Sequence, residues 1–252
     1  MSTSPFLRAD GRVVEAMRRV EFEPGFTTTP AGSVLTRFGK TVVLCTCTVV
    51  DGIPRFRSEG SGWMTAEYAM APGSTADRVG RERRGPKGRT SEIERMIGRS
   101  LRAGVELSAF GDHTVHLDCE VLQADGGTRT ASVTGAFVAL AIAAGRMLED
   151  GRITESPFKG IVGAVSCGIV DGRAVVDLPY EEDVRAEVDL NLVMLGGDQI
   201  IEVQGTGEEG TMSRAQLNEM LDLGAAAIAE LHTLQIQAIG NNVARKLGLI
   251  GA

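Results

Sequence analysis

A chain of 252 residues with 43% hydrophobic side chains can bury a sizeable core, and its net charge of −7, taken whole, weighs against a polyanionic partner. Its four cysteines lack Cys-x-x-Cys spacing and its three histidines lack ligand partners, which weighs against zinc and redox pairs. The polar stretch Met1 to Gly11 is no secretory signal, and the longest apolar run, Ala136 to Ala144, is too short to span a bilayer. A soluble cytoplasmic protein, folded as one domain over 1–252, is therefore expected.

In chain order, strands are predicted at Arg19 to Glu23, Ser33 to Arg37 and Thr41 to Val50, the last two joined as a hairpin across Phe38-Gly39-Lys40. Cys45 and Cys47, two apart in the third strand, share one face and read as buried reduced thiols. Arg55 to Gly62 and Met70 to Gly88 read as loop, flanking a short strand at Trp63 to Tyr68. A helix is predicted from Ser91, where Ser91-x-x-Glu94 has the form of a capping box, and Gly111 should end it. His113 to Gln123 alternates as a half-buried strand, and Ala131 to Met147 is apolar enough for a buried helix. A hairpin at Asp171-Gly172, strands at Val184 to Met194 and Ile200 to Gln204, and a helix from the box Ser213-x-x-Gln216 complete the chain. Both halves run from sheet to helix, which suggests a duplicated α+β layout.

Charge is unevenly spread. Nine basic and three acidic residues fall between Arg78 and Arg102, a local excess of +6 beside a Gly-Pro-Lys-Gly loop, as a phosphate-backbone contact requires; a solvated helix face would also account for it. Asp125-Gly126-Gly127-Thr128-Arg129, between strand and helix, suits an anion: glycines permit close backbone approach, the helix start offers unpaired N–H groups, and Arg129 adds a forked cation. Alone, such a turn is ordinary strand-to-helix geometry. Arg89 also stands at a helix start, where pairing with Glu92 is its plain alternative. Asp177, Asp183 and Asp189 form an acidic series. In one continuous strand Asp183 and Asp189 would lie ~20 Å apart, so a shared cation requires a bend after Pro179.

Four blocks in order carry a resemblance. Gly88-Arg89-Thr90-Ser91-Glu92-Ile93 with Ile97 to Arg102, Asp118 to Ala131, Asp177 to Asp183 with Val188-Asp189, and Glu202-Val203-Gln204-Gly205-Thr206 are similar to signatures of the ribonuclease PH family. The resemblance implies a two-layer α+β fold, shared with a domain of a small-subunit ribosomal protein and assembled as a homo-hexameric ring, a trimer of dimers. It implies a phosphate-dependent 3′-to-5′ exoribonuclease, a tRNA nucleotidyltransferase that trims precursor tRNA and releases nucleoside 5′-diphosphates. Arg89, Gly127, Thr128 and Arg129 would hold inorganic phosphate, the co-substrate; Asp183 and Asp189 would be catalytic and hold Mg²⁺; Arg78, Arg81 and Arg99 would contact RNA. Gly73, Ala76 and Asp77 depart from the family's RNA-gripping loop, and Val184 replaces the usual serine beside Asp183. A catalytic exosome-type subunit and a silent RNA-binding ring component are the rival readings; retention of both arginines and both aspartates argues against the second.

Overall fold

The fold grows from two sheets that differ in construction. In the computed structural model, which describes residues 8–82, 85–207 and 210–251, the first sheet contains β1 (Val20–Pro24), β2 (Gly32–Phe38), β3 (Thr41–Asp51), β4 (Trp63–Met70) and β5 (His113–Gln123). Its order is β1-β2-β3-β5-β4, antiparallel except for the β4–β5 pair. The second sheet contains β6 (Val162–Val170), β7 (Arg173–Val176), β8 (Val188–Leu195) and β9 (Gln199–Gly207), in the antiparallel order β7-β6-β8-β9. Period-two alternation buries Val43, Cys45 and Cys47 on one face of β3 and Val115, Leu117, Cys119 and Val121 on one face of β5. All four cysteines are buried and unbridged. Asp171 and Gly172 both take positive φ, as the tight β6–β7 hairpin requires.

Helix α2 (Thr128–Glu149) joins the halves. It packs on β2 and β3 of the first sheet and on β6 of the second. Ser132 accepts from Cys45 and Cys119 on one side, while Thr134 exchanges hydrogen bonds with Ala164 of β6 on another. Its near-continuous apolarity makes it the one helix among the described residues with the length and hydropathy of a membrane span, yet it lies buried within the fold. Helix α4 (Arg214–Ile239) packs on β6 and β7 and carries Gln235, whose buried amide donates to Thr134 and Val162. One hydrophobic cluster therefore runs through both sheets. A short helix α5 (Asn241–Lys246) follows α4.

Several boundaries differ from the sequence-based expectation, among them α2, which starts at Thr128 instead of Ala131, and three others bear on the site. Helix α1 spans Gly88–Ala103, three residues earlier than predicted, and Ser91 lies inside it. The local box does not form: Glu82, ahead of the helix, accepts from the Lys87 N–H and the Thr90 hydroxyl, while Glu94 faces the N–H of Tyr68. The helix stops at Gly104, where a Cβ would meet Val162 at 2.4 Å, and Leu107–Phe110 forms a separate 3₁₀ turn before Gly111. The strand predicted from Val184 begins at Val188. Residues Tyr180–Asp183 form one helical turn, α3, and Ala186 is buried in a small cluster with Val170, Val175 and Leu178, so the even-numbered apolar pattern continues through a turn. The Ser213–Gln216 capping box forms as read, each side chain bonding the other's backbone N–H.

Gly32 fixes the distance between α2 and the first sheet, because a Cβ there would stand 1.9 Å from the Ala139 carbonyl oxygen. Gly32→Ala should lower stability by about 3 kcal/mol in urea unfolding, the upper part of the overpacking range. A loss below about 1 kcal/mol would mean that α2 can move away freely.

Candidate active site

A cleft of about 740 Å³ opens where the two halves meet. Arg89, Gly127, Thr128, Arg129, Asp183 and Asp189, which come from separate sequence blocks, all line it. Arg89 and Arg129 hold equivalent places: each is the second residue of its helix, and neither N-cap residue, Lys87 or Gly127, makes a side-chain capping hydrogen bond. Two sets of unpaired N–H groups, each beside an arginine, therefore serve one space.

Arg129 is braced from two sides. Its Nη1 donates to Gln204 Oε1 at 3.0 Å and lies 3.9 Å from Glu92, while Gln204 Nε2 donates to the same Glu92 carboxylate. Glu92 thus partners Arg129 across the helices, and Arg89 has no hydrogen bond or ion pair among the described residues. Tyr68, from β4, places its hydroxyl 3.0 Å from Thr128 Oγ1. Burial pushes its phenol up, against the Thr128 hydrogen bond and the charges of Arg89 and Arg129, so both cations stand near one ring.

The glycine turn is held by residues that the sequence reading missed. Gly126 and Gly127 both adopt positive φ. A Cβ on Gly126 would meet the Leu178 carbonyl at 2.4 Å and Tyr180 N at 2.9 Å, so Gly126 is needed for close approach to the chain's own 178–180 loop; Gly127 sits at the helix start. Arg18 donates to the Asp125 and Gly126 carbonyls, and Thr41 donates to Gly126 at 2.6 Å. Asp177, 1% exposed, receives Arg18 through its backbone N–H at 2.7 Å, Nε at 2.9 Å and Nη2 at 2.7 Å. Asp177 therefore partners an arginine, apart from the other two aspartates. Burial would raise its carboxyl, but the Arg18 hydrogen bonds and charge, helped by Arg12, bring it below its ordinary value. Nothing local in the sequence marks Arg18, because its partner lies 159 positions away.

Asp183 ends α3 and Asp189 is the second residue of β8, so the chain bends between them after Pro179. Both are partly exposed in the cleft. Among the described residues no three His, Cys, Asp or Glu side chains gather as a metal cage. Two carboxylates in an open cleft suit a hard cation that takes its remaining oxygens from water or phosphate.

Arg78 and Arg81 are exposed on the 71–82 loop, whose Thr75, Ala76 and Asp77 form part of the cleft wall. The loop is tied down by Ala124 N–H donating to the Ser74 carbonyl at 2.8 Å and Val79 N–H to that of Pro72 at 3.0 Å. Arg99 lies elsewhere, its guanidinium held by Glu202 at 2.6 Å across α1 and β9. Arg83 and Arg84 of the basic stretch lie outside the described residues.

Asp177→Asn leaves Arg18 without its buried counter-charge and should cost about 3 to 5 kcal/mol in denaturant unfolding near neutrality. Since folding lowers the Asp177 pKa, its contribution is present above the unfolded carboxylate value and lost as pH falls through the folded one. The gap between wild type and variant should narrow on acidification; a gap that stays constant would place the stabilisation elsewhere.

Comparison with known proteins bears on the family and the fold. Family models described as 3′ exoribonuclease family, domain 1 and domain 2, match residues 16–144 and 160–227 in that order. The ribonuclease PH of Corynebacterium efficiens is 56% identical over 242 residues, covering 95% of this chain and 99% of that one. That of Mycolicibacterium smegmatis is 51% identical, covering 92% and 91%. At the level of fold alone, rice (Oryza sativa) Rrp46 superposes with a TM-score of 0.77 at 19% identity, covering 92% of this chain and 99% of its own. An Archaeoglobus fulgidus exosome chain, solved with RNA bound to the active site, gives 0.77 at 22% identity, covering 90% and 92%. With both domain models matched in order and over half the residues shared with curated members along nearly the whole length, this chain belongs to the ribonuclease PH family of 3′ exoribonucleases.

Proposed function

We propose that the chain is a phosphate-dependent 3′-to-5′ exoribonuclease that trims the 3′ end of precursor tRNA, a nucleotidyltransferase using inorganic phosphate as acceptor. The observation that carries this reading is that two uncapped helix starts, each with an arginine at its second position, open on the cleft that also receives Asp183 and Asp189. Arg89, Arg129, Thr128 and the N–H groups after Gly127 hold the phosphate. One of its oxygens attacks the terminal phosphodiester in line, the new P–O bond forms as the bond to the 3′ oxygen breaks, and that oxygen takes up a proton. The products are a nucleoside 5′-diphosphate and RNA one nucleotide shorter. Phosphate is anionic at neutral pH, so it needs positioning and charge neutralisation more than a general base.

Asp183 and Asp189, which both line the cleft, would hold Mg²⁺, and the ion when bound would offset charge on the transferring phosphoryl group and the leaving oxygen. Arg78 and Arg81, exposed beside the cleft wall, are assigned to RNA farther from the chemistry. Arg99, exposed outside the cleft and paired with Glu202, is assigned to RNA only at a distance from the chemistry. Sequence identity above one half with ribonuclease PH proteins favours a self-sufficient homo-hexamer over an exosome-type hetero-ring. The continuous core supports treating 1–252 as one domain, and the burial of α2 accords with a soluble, cytoplasmic enzyme.

The defining experiment incubates the purified protein with a 3′-extended tRNA and Mg²⁺, with and without phosphate. Nucleoside diphosphates formed only with phosphate support the reading; monophosphates formed without it refute it. Arg89→Ala and Arg129→Ala should each raise the phosphate concentration needed by about ten- to a hundredfold, the equivalent of losing roughly 1.5 to 3 kcal/mol, with RNA affinity little changed. Lysine should rescue partly, since it keeps charge and loses the fork.

Arg78→Ala and Arg81→Ala should weaken tRNA binding and reduce its salt dependence by about one counterion each. Equal loss on a short oligonucleotide would place them at the reaction centre.

A further inference from the structure

Beside the cleft, and absent from the chemistry above, lies a buried ion pair formed by the N-terminal arm. Arg8 is fully buried, with its side chain 0% exposed, and so is its partner Glu182 at 2%. Arg8 Nε lies 3.0 and 3.1 Å from the two Glu182 oxygens, and Nη2 also donates to Glu182. The remaining donors reach backbone: Nη1 to the Val176 carbonyl at 2.6 Å and to Ala16 at 3.2 Å, and Nη2 to Asp177 at 3.0 Å. One guanidinium thereby ties together residues 16, 176, 177 and 182. Arg12 adds a second tie, donating to Ala16 at 2.8 Å and to the Asp177 carbonyl at 3.1 Å.

The ends of this arrangement matter. Glu182 is the third residue of the single turn α3, and Asp183 is the fourth. An isolated helical turn of four residues has too few internal hydrogen bonds to hold itself. Among its anchors are the Pro179 carbonyl, which accepts from the N–H groups of Glu182 and Asp183, the bonds from Val184 and Arg185 N–H to the Tyr180 and Glu182 carbonyls, and the Arg8 fork, which is the long-range one. Turning Glu182 inward to Arg8 leaves Asp183, one helical step on, turned to the cleft. Arg18 grips Asp177 and the glycine turn, so it serves the phosphate side. Arg8 grips α3, so it serves the carboxylate side.

We infer that Arg8, through Glu182, is a positioning residue for Asp183 and sets the affinity of the divalent cation that Asp183 and Asp189 hold. The inference rests on the metal reading given above. Partners that orient a ligating carboxylate commonly govern metal affinity by about ten- to a hundredfold when removed. Glu182→Gln keeps the shape and loses the charge-assisted fork; Arg8→Lys keeps the charge and loses the fork.

The test is a Mn²⁺ titration of the full-length assembled protein, freed of divalent ions, followed by electron paramagnetic resonance without RNA, alongside the Mg²⁺ and phosphate dependence of turnover. Glu182→Gln and Arg8→Lys should bind Mn²⁺ about tenfold or more weakly and raise the half-saturating Mg²⁺ in parallel, while the phosphate requirement stays within about twofold. Mn²⁺ affinity equal to wild type in folded variants would overturn the inference, leaving Arg8 a stabilising residue only. An equal rise in phosphate requirement would overturn it too, because the disturbance would then be general. If Glu182→Gln fails to fold, Arg8→Lys decides by the same readings. Asp183→Asn is the control: wild-type protein without Mn²⁺ binding, or undiminished binding by this variant, would remove the metal reading and this inference with it.

Discussion

The buried pair of Arg18 and Asp177 is the constraint on which the rest of the site depends. Three hydrogen bonds join them, and Arg18 extends from that pair to the carbonyls of Asp125 and Gly126. Through one side chain the segment before β1, the turn before α2 and the loop before α3 are fixed together. The arrangement is high in stakes: complete, it orders three segments; with either charge removed, the other is left stranded away from water. Asp177 also adopts a positive φ, which a non-glycine residue holds only where its surroundings insist.

From this latch follows the division of labour in the cleft. The Gly126-Gly127 turn can press against Leu178 to Tyr180 only because it lacks a Cβ at 126. That approach brings the α2 start beside α3, and α1 completes the wall through the Arg129, Gln204 and Glu92 chain. Arg89, Arg129 and Arg185 then share the cleft with Asp77, Asp125, Asp183 and Asp189 among the described residues. A cleft with both signs of charge suits an anion held by the helix starts with a cation held opposite. This explains how a chain with net charge −7 can serve a polyanionic substrate.

Much of this was legible from the residues themselves. Alternation placed β3 and β5 closely, because each has one buried face, and the Ser213–Gln216 box was found because its partners are three residues apart. The start of α1 was missed because the segment is braced by Glu82, eight residues from the Thr90 hydroxyl that it accepts from, and a local box at Ser91 offered a false alternative. The strand start at Val188 was missed because Ala186 is buried by a turn that preserves strand parity. The residues of the separate blocks do line one cleft, and a bend after Pro179 was expected on the condition that Asp183 and Asp189 share a cation. Arg8, Arg12 and Arg18 were not legible, since the partners that tie them to the site, Glu182 and Asp177, lie more than 150 positions away and isolated arginines near a chain start resemble surface charge. Arg99 was read with the basic stretch, and only its neighbour Glu202 on β9 separates it from that group.

The central claim is that two helix starts built from distant sequence receive a single oxyanion. A crystal structure with inorganic phosphate present tests it most directly. The account predicts one phosphate in the cleft, within hydrogen-bond reach of both the Arg89 and Arg129 guanidinium groups and of backbone N–H groups following Gly127. A phosphate held by only one of the two arginines, or bound away from the Gly126-Gly127 turn, would contradict it.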